Sequence, residues 1–553
     1  MKRGLCIVLF VGVATAGLAS TRVVDGVGAG ANEFATIPEA LADLAASADN
    51  GDGTTDVINV TASYTEDTQI VIDHSVLLDE VEINGNGNTI IFEDTAVADG
   101  HVFSIVADDG SLTTVSGLTL LPEYDDAGEV QDFPGAAMRI LDQGVPASGF
   151  VVNVSDIIIT SSTVGNAAVD PDAEAPADHT RWGFGTGPMF AGGIRTDSTT
   201  DGSDNVINIT DSKVSHTSSR GVYIAHKTGT TAITTNVESK YNVGNAYRTF
   251  STTGDWILNN CVGTHSSGNQ TSSITTAGTA GAGTLIEING GNFSNSTWYG
   301  LEFLAANTIS IQGEPGNPVV VANNPNRGIR FDNASTVVTG LSHLVVANNA
   351  SFGIDVNELD TDASWGDGIS NLIMSGNGTI SATPSNFSYG DTHTGAVTIE
   401  VTDSTFHNPS GDQGDSFIAR NFDHRFGNDQ VWNFTNCIFS GNAGDDDVAI
   451  IVRGTTDRNI EINLINSAVV TEGPYALEAL EEIPDGGSPA DINQTDVINS
   501  NPAYVTTDTS EEEAFNVQSP DYEDAGPGGA PLTGGAEYVG PPTSVEDWTT
   551  LTY

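Results

Sequence analysis

Apolar and polar positions alternate in short bursts along most of this chain, and the bursts recur. From Asn205 the sequence reads NVINITDSKVSHTSSRGVYIAH, and from Thr284 TLIEINGGNFSNSTWYGLEFLAA. From Ala396 it reads AVTIEVTDSTFHNPSGDQGDSFIAR, and from Gln430 QVWNFTNCIFSGNAGDDDVAIIVRG. Each unit holds an alternating strand, a tight polar corner, a shorter strand, a looser corner and a third strand that often begins with Gly. The repeat is about 25 residues long, stretched by insertions, which is the mark of a stacked solenoid. A coil of three short strands cannot bury its own inward side chains or pair its own edges, and the next coil does both. The pattern predicts an all-β chain with three parallel strands per coil, hydrogen-bonded along the stack.

Period-two alternation then assigns the faces. In the third strands Ile194, Val222, Leu301, Ile329, Ile354 and Ile450 should point inward, with Ile224, Phe303, Phe331, Val356 and Val452. In the second strands one inward column contains Ile159, Val214, Phe293, Phe406 and Phe439, and another Ile157, Ser212, Cys261, Ser404 and Cys437. Cys261 and Cys437 would stand about six coils apart, near 30 Å at ~4.8 Å per coil, against the ~7 Å a disulfide tolerates. Two free, buried thiols are expected. Asn323-Asn324, Asn348-Asn349, Asn295 and Asn408 end strands. Asparagine tolerates left-handed backbone there and can bond its neighbours above and below.

The two ends of the chain differ from its middle. From Phe34 it reads FATIPEALADLAAS, then DVINVTASYTED, then EINGNGNTIIF. Thr36 can cap a short helix whose Ile37, Ala40, Leu41 and Leu44 share one face. From Asn501 it reads NPAYVTTDTSEEEAFNVQSPDYEDAGPGGAPLTGGAEYVG. With these ends and the repeat between them, the chain resembles the pectate-lyase-like superfamily of right-handed parallel β-helix repeat proteins. Such proteins open with an amphipathic helix before a "G-x-Y-x-E"-like turn; here Ser63-Tyr64-Thr65-Glu66 lacks the Gly. They close with "S-P-A-x-D-x-G" and "G-A-x-E-Y-x-G" runs. Ser519-Pro520, Asp524-Ala525-Gly526 and Gly535-Ala536-Glu537-Tyr538 keep most of these. The resemblance covers roughly residues 21–540. It implies a single-stranded, right-handed parallel β-helix whose helix covers the exposed core of the first coil. The expected organisation is a signal peptide over 1–20, an N-terminal cap over 21–56, the β-helix over 57–480, a closing segment over 481–540 and a tail over 541–553.

Charge and leader narrow the setting. Lys2 and Arg3 precede a mostly apolar run from Leu5 to Ala16, with Ala19 and Ser20 as cleavage positions, so export to the cell surface or beyond is expected. That run is short for a membrane span, and no later run of ~18 apolar residues exists. There are 73 acidic and 17 basic residues; loss of Lys2 and Arg3 takes the net charge from −56 to −58. Such a surface repels nucleic acid and anionic membrane. It also repels polyanionic polysaccharide unless cations bridge the two. The expected partner is an extracellular polysaccharide or surface glycan, met by a monomer.

Candidate chemistry lies on the outward side of the third strands. One column runs Arg195, Tyr223, Arg248, Glu302, Arg330, Asp355, and its neighbour holds Asp197, Asp332, Asn357, Arg420 and Arg453. Most of the scarce basic residues fall on this face or in nearby turns. Arg248, Glu302, Arg330 and Asp355 are the catalytic candidates. Arg195, Tyr223, Asp332, Asn357 and Arg420, with Trp182 and Trp365 from insertions, are the carbohydrate-binding candidates. The insertions are 165–191, 358–368 and 421–429, the last with His424 and Arg425. A ladder of cross-strand ion pairs that only supports the sheet is the alternative. The resemblance implies polysaccharide lyases, which use an Arg or Lys base with a cation, or glycoside hydrolases, which use paired carboxylates. The polygalacturonase, pectinesterase and pectate lyase signature runs are absent; Phe422-Asp423-His424-Arg425 only echoes "W-I-D-H". Asp49, Asp52 and Asp56 have the spacing of a Ca²⁺ loop, or of a plain Asp-Gly turn. Three readings stand: a non-catalytic or unassigned protein presenting a long face to carbohydrate or to a surface partner, a lyase or hydrolase, and a structural or adhesive solenoid.

Overall fold

The computed structural model shows a right-handed parallel β-helix. It describes residues 20–506, apart from 31, 49, 94–100, 125–131, 143–147, 164, 175–188, 198–200, 251, 279–283, 379–384, 391–396, 409–419, 427–429, 436, 442–447, 455–459, 466–467, 472–474 and 482–502. One coil shows the unit. Its strands are Asn205–Thr210, Lys213–Ser215 and Arg220–Ala225. Each pairs in parallel with its equivalent one coil on, 25 residues later at Asn205↔Thr230, Lys213↔Glu238 and Val222↔Tyr247. The first and second strands merge around their corner into one 25-stranded sheet, and the third strands form a separate 14-stranded sheet.

The inward columns are buried as the alternation requires. Ile194, Val222, Leu301, Ile329, Ile354 and Ile450 are all buried, as are Ile224, Phe303, Phe331 and Val356. Like stacks on like: Phe303 and Phe331 lie 5.2 Å apart and nearly parallel, and Phe406 and Phe439 4.9 Å apart. Each such ring stabilises the stack by about 1.5–3 kcal/mol relative to exposure. Cys261 and Cys437 are free and buried. Six ladder steps separate them, through Val262↔Asn292, Asn292↔Val320, Val320↔Val345, Val345↔Ile373, Ile373↔Thr405 and Thr405↔Ile438.

Corner chemistry locks the register. Asn295, Asn323 and Asn348 take left-handed backbone, with φ of 55°, 56° and 53°. Behind them the buried Asn324, Asn349 and Asn377 form a ladder: each side-chain amide donates to the next, at 2.9 Å from Asn324 to Asn349 and 2.9 Å from Asn349 to Asn377. The Gly that opens a third strand answers to close approach. A side chain on Gly221 would meet the Ala246 carbonyl oxygen of the next coil at 2.7 Å.

The helix is Ile37–Ala46, with Thr36 as its cap accepting from the Glu39 backbone N–H, and it buries Ile37, Ala40, Leu41 and Leu44. The Tyr64 hydroxyl accepts from the Ile37 backbone N–H at 3.1 Å and so ties helix to coil. The strand Ser20–Val24 pairs in parallel with Asp56–Val60. At the other end, Ala503–Thr506 pairs with Ala468–Thr471. Apart from that strand, the closing segment and the tail lie outside the described residues.

Candidate functional site

The third-strand sheet places one outward side chain per coil in a straight column. Its register runs Arg139, Arg195, Tyr223, Arg248, Thr275, Glu302, Arg330, Asp355, Ser388, Asp423. The six residues expected from the alternation stand in that order, with Thr275 between Arg248 and Glu302. Asp197, Asp332 and Asn357 flank the column, and the Asn357 amide donates to Asp332 at 2.7 Å. Arg420 does not join them. It pairs with Ser385, three residues before Asp423, because its strand begins earlier than the alternation alone suggested. That is the row of Arg220, three before Tyr223, and of Arg327, three before Arg330.

Two clusters result. In the first, the Arg195 and Arg220 guanidiniums sit 5.2 and 4.8 Å from the centre of the Tyr223 ring, and Arg248 lies 5.9 Å from that of the exposed Phe250. Arg195 and Arg139 share Asp197, at 2.7 and 2.9 Å. Burial, and then the neighbouring Arg248, make the Arg220 guanidinium a weaker proton holder than a free arginine. An open depression of about 160 Å³ lies against Gly192, Gly193, Arg195, Arg220 and Tyr223.

The second cluster is a closed ion-pair network. Asp355 is fully buried and faces Arg327 at 2.7 Å. Arg330 meets Asp332 at 2.5 Å and Glu302 at 3.8 Å. Arg327 and Arg330 both donate to the Tyr299 hydroxyl, at 3.0 and 3.4 Å, and both stack over its ring. Glu302 accepts from Ser272 at 3.0 Å and Thr275 at 3.2 Å. Burial raises its carboxyl pKa, against those hydrogen bonds and Arg330, which pull it down. Arg248 and Glu302 lie two coils apart, so the four catalytic candidates do not converge on one point.

Other candidates are placed differently from their expectation. Trp365 is 5% exposed and packs in the core, its backbone N–H donating to Val338, so it offers no ring to the sheet face. Residues 421–426 are sheet, within Arg420–Phe426, and not a looping insertion. There His424 is buried, 2.8 Å from Gln430 Oε1. Asp52 accepts from the Thr54 backbone N–H at 2.8 Å and from its hydroxyl, and Asp56 is buried. The loop is organised instead by Asp79, which accepts from Gly51 at 2.5 Å and from Gly53 at 2.8 Å. Among the described residues no three carboxylate, imidazole or thiol groups gather as a cation site. Asp49 and Trp182 lie outside the described residues.

Alternation did not find Arg139, Arg220, Tyr299 or Arg327. The signal for two of them was present: Arg220-Gly221 and Arg327-Gly328 both put Arg just before the Gly that opens a third strand.

A right-handed parallel β-helix with an arginine- and aromatic-bearing sheet face is therefore the class that fold and site define. No family model matches the chain, and no curated protein matches it. Solved structures do. The A-module of the Azotobacter vinelandii mannuronan C-5 epimerase AlgE4 is similar over 84% of this chain and 97% of its own, at 10% identity and a TM-score of 0.29. The catalytic domain of a GH87 α-1,3-glucanase is similar over 90% of this chain and 69% of its own, at 11% identity and a TM-score of 0.31.

Proposed function

We propose that this chain is an exported, non-catalytic β-helix protein that holds a glycan on the open face of its third-strand sheet, in the segment from Arg195 to Arg248. The observation that carries the reading is the Tyr223 ring, half-buried on the third-strand sheet with two guanidiniums against it, and the exposed Phe250 one coil on. Aromatic faces and fixed fork-shaped donors on a rigid surface suit the apolar faces and the hydroxyls of a sugar chain. A lyase or hydrolase reading has less support. Asp355 has no solvent-facing surface, and Glu302 and Arg330 are engaged with each other and with neighbours.

The test is binding of the purified full chain to a panel of soluble glycans, with Tyr223→Ala alongside. The reading expects at least one glycan to bind, and Tyr223→Ala to weaken it by about tenfold. It also expects neither unsaturated product nor new reducing ends in that mixture. Retention of full affinity by Tyr223→Ala, or turnover of the bound glycan, would overturn it.

A further inference from the structure

The arginines of the first cluster are out of keeping with the rest of the chain. Against 73 acidic residues there are 17 basic ones, so carboxylate partners are abundant. Arg195 meets Asp197 at 2.7 Å, a carboxylate that Arg139 also binds. Arg220 and Arg248 have no carboxylate partner among the described residues, and the buried Nε of Arg248 has no hydrogen-bond acceptor. Guanidiniums stay protonated in proteins, so they cannot escape mutual repulsion by losing a proton. An oxyanion seated among them would relieve that repulsion and satisfy the idle donors.

We infer that Arg195, Arg220 and Arg248 form a binding site for an anionic substituent of the glycan, a carboxylate or a sulfate ester, seated at the depression that Arg195, Arg220 and Tyr223 line, with Arg248 next to Tyr223 along the column. This rests on the glycan-binding reading above and names the class of sugar it takes. Gly192 and Gly193 line the depression beside Arg195, Arg220 and Tyr223. Arginine forks match the planar geometry of a carboxylate and donate to the tetrahedral oxygens of a sulfate. The net charge of −56 works against a polyanion at a distance. At ~0.1 M salt that repulsion is screened beyond about 10 Å, whereas the three cations act at contact. A chain that repels polyanions in general thus gains selectivity for one that docks at this point.

Titration calorimetry at fixed ionic strength tests this with three probes: a polyuronate, a sulfated dextran and neutral dextran. The wild-type chain should bind one or both anionic probes more tightly than neutral dextran. Binding of only one identifies carboxylate or sulfate as the preferred group. Arg220→Gln and Arg248→Gln should each lose about tenfold or more in that affinity, a larger factor than either loses toward neutral dextran. Arg248→Lys keeps the charge and should recover part of the loss, a rescue that an unfolded variant would not show. The inference is overturned if both Gln variants keep full affinity for the anionic probes, or if the wild type prefers neutral dextran. In the latter case, loss of dextran binding in Tyr223→Ala would leave the glycan-binding reading standing. Failure of every probe to bind would remove both.

Discussion

Asp355 and Arg327 decide whether the second cluster is scaffold or machinery. The Asp355 carboxylate is fully buried, and the Arg327 guanidinium faces it at 2.7 Å while remaining 21% exposed. Arg327 also lies 5.6 and 5.5 Å from the Tyr299 and Phe352 ring centres. Replacing Arg327 with Met preserves much of the apolar stem but withdraws the cation from a carboxylate that water cannot reach. Breaking a buried pair from one side costs about 3–5 kcal/mol. Asp355→Asn leaves a partly exposed guanidinium that can turn to solvent, so it should cost less, about 1–2 kcal/mol. The double variant should recover part of the sum, with a coupling of about 1–3 kcal/mol. Guanidinium chloride unfolding followed by far-UV circular dichroism gives the totals. Because each coil touches only its neighbours, hydrogen exchange on the strands Leu301–Phe303, Ile329–Asp332 and Phe352–Glu358 should show the loss locally. An Arg327→Met cost under about 1 kcal/mol with negligible coupling would refute the scaffold role and return Asp355 to the list of reactive candidates.

Three further outcomes are expected. Asn349→Ala should cost about 2–4 kcal/mol in the same unfolding assay, because it strands the Asn324 backbone N–H and side-chain amide, which donate to Asn349 at 3.1 and 2.9 Å, and the Val321 carbonyl oxygen, which accepts from it at 3.0 Å; a loss below about 0.5 kcal/mol would show the ladder to be incidental. Glu66 is buried, and burial lifts its carboxyl to about 7, so the folded chain binds that proton more tightly than the unfolded one; its stabilising effect is complete below about 4.5 and is lost as pH rises through about 7. Glu66→Gln should therefore gain about 1–2 kcal/mol over wild type at pH 8 and little at pH 4, and an equal difference at both pH values would contradict this. Cys261, its thiol pushed up to about 12 by burial, and Cys437 should resist alkylation until the chain unfolds; labelling of the native protein within minutes would show the core open.

The stack was legible because its signals are periodic. Ile329, Ile354 and Phe331 fall on the inward phase of strands that begin with Gly, and Thr36, Ile37 and Leu44 define a capped amphipathic helix. The column from Arg195 to Asp355 followed from the same phase. What the sequence hid lay where the phase lapses. Arg220 opens its strand and Arg327 stands just before one, where alternation assigns no direction, and only the recurring Arg-Gly pair marks them. Arg420 was misplaced because its strand starts three residues before the column position, after an insertion that resets the count. Trp365 sits in an insertion expected to bind carbohydrate yet packs in the core, and nothing in the spacing of an insertion tells a ring that plugs the core from one that faces solvent. Nor does spacing show which charges neutralise one another, and that decides between an ion-pair network at Glu302 and Asp355 and an unpaired cluster at Arg220 and Arg248.

The most direct check on the account is where a bound glycan protects the chain. Hydrogen exchange with and without a tightly bound glycan should show added protection in Met189–Asp197, Arg220–Ala225 and Tyr247–Phe250, on the third-strand sheet. Protection confined to the first and second strands, or to coils distant from Tyr223, would contradict it.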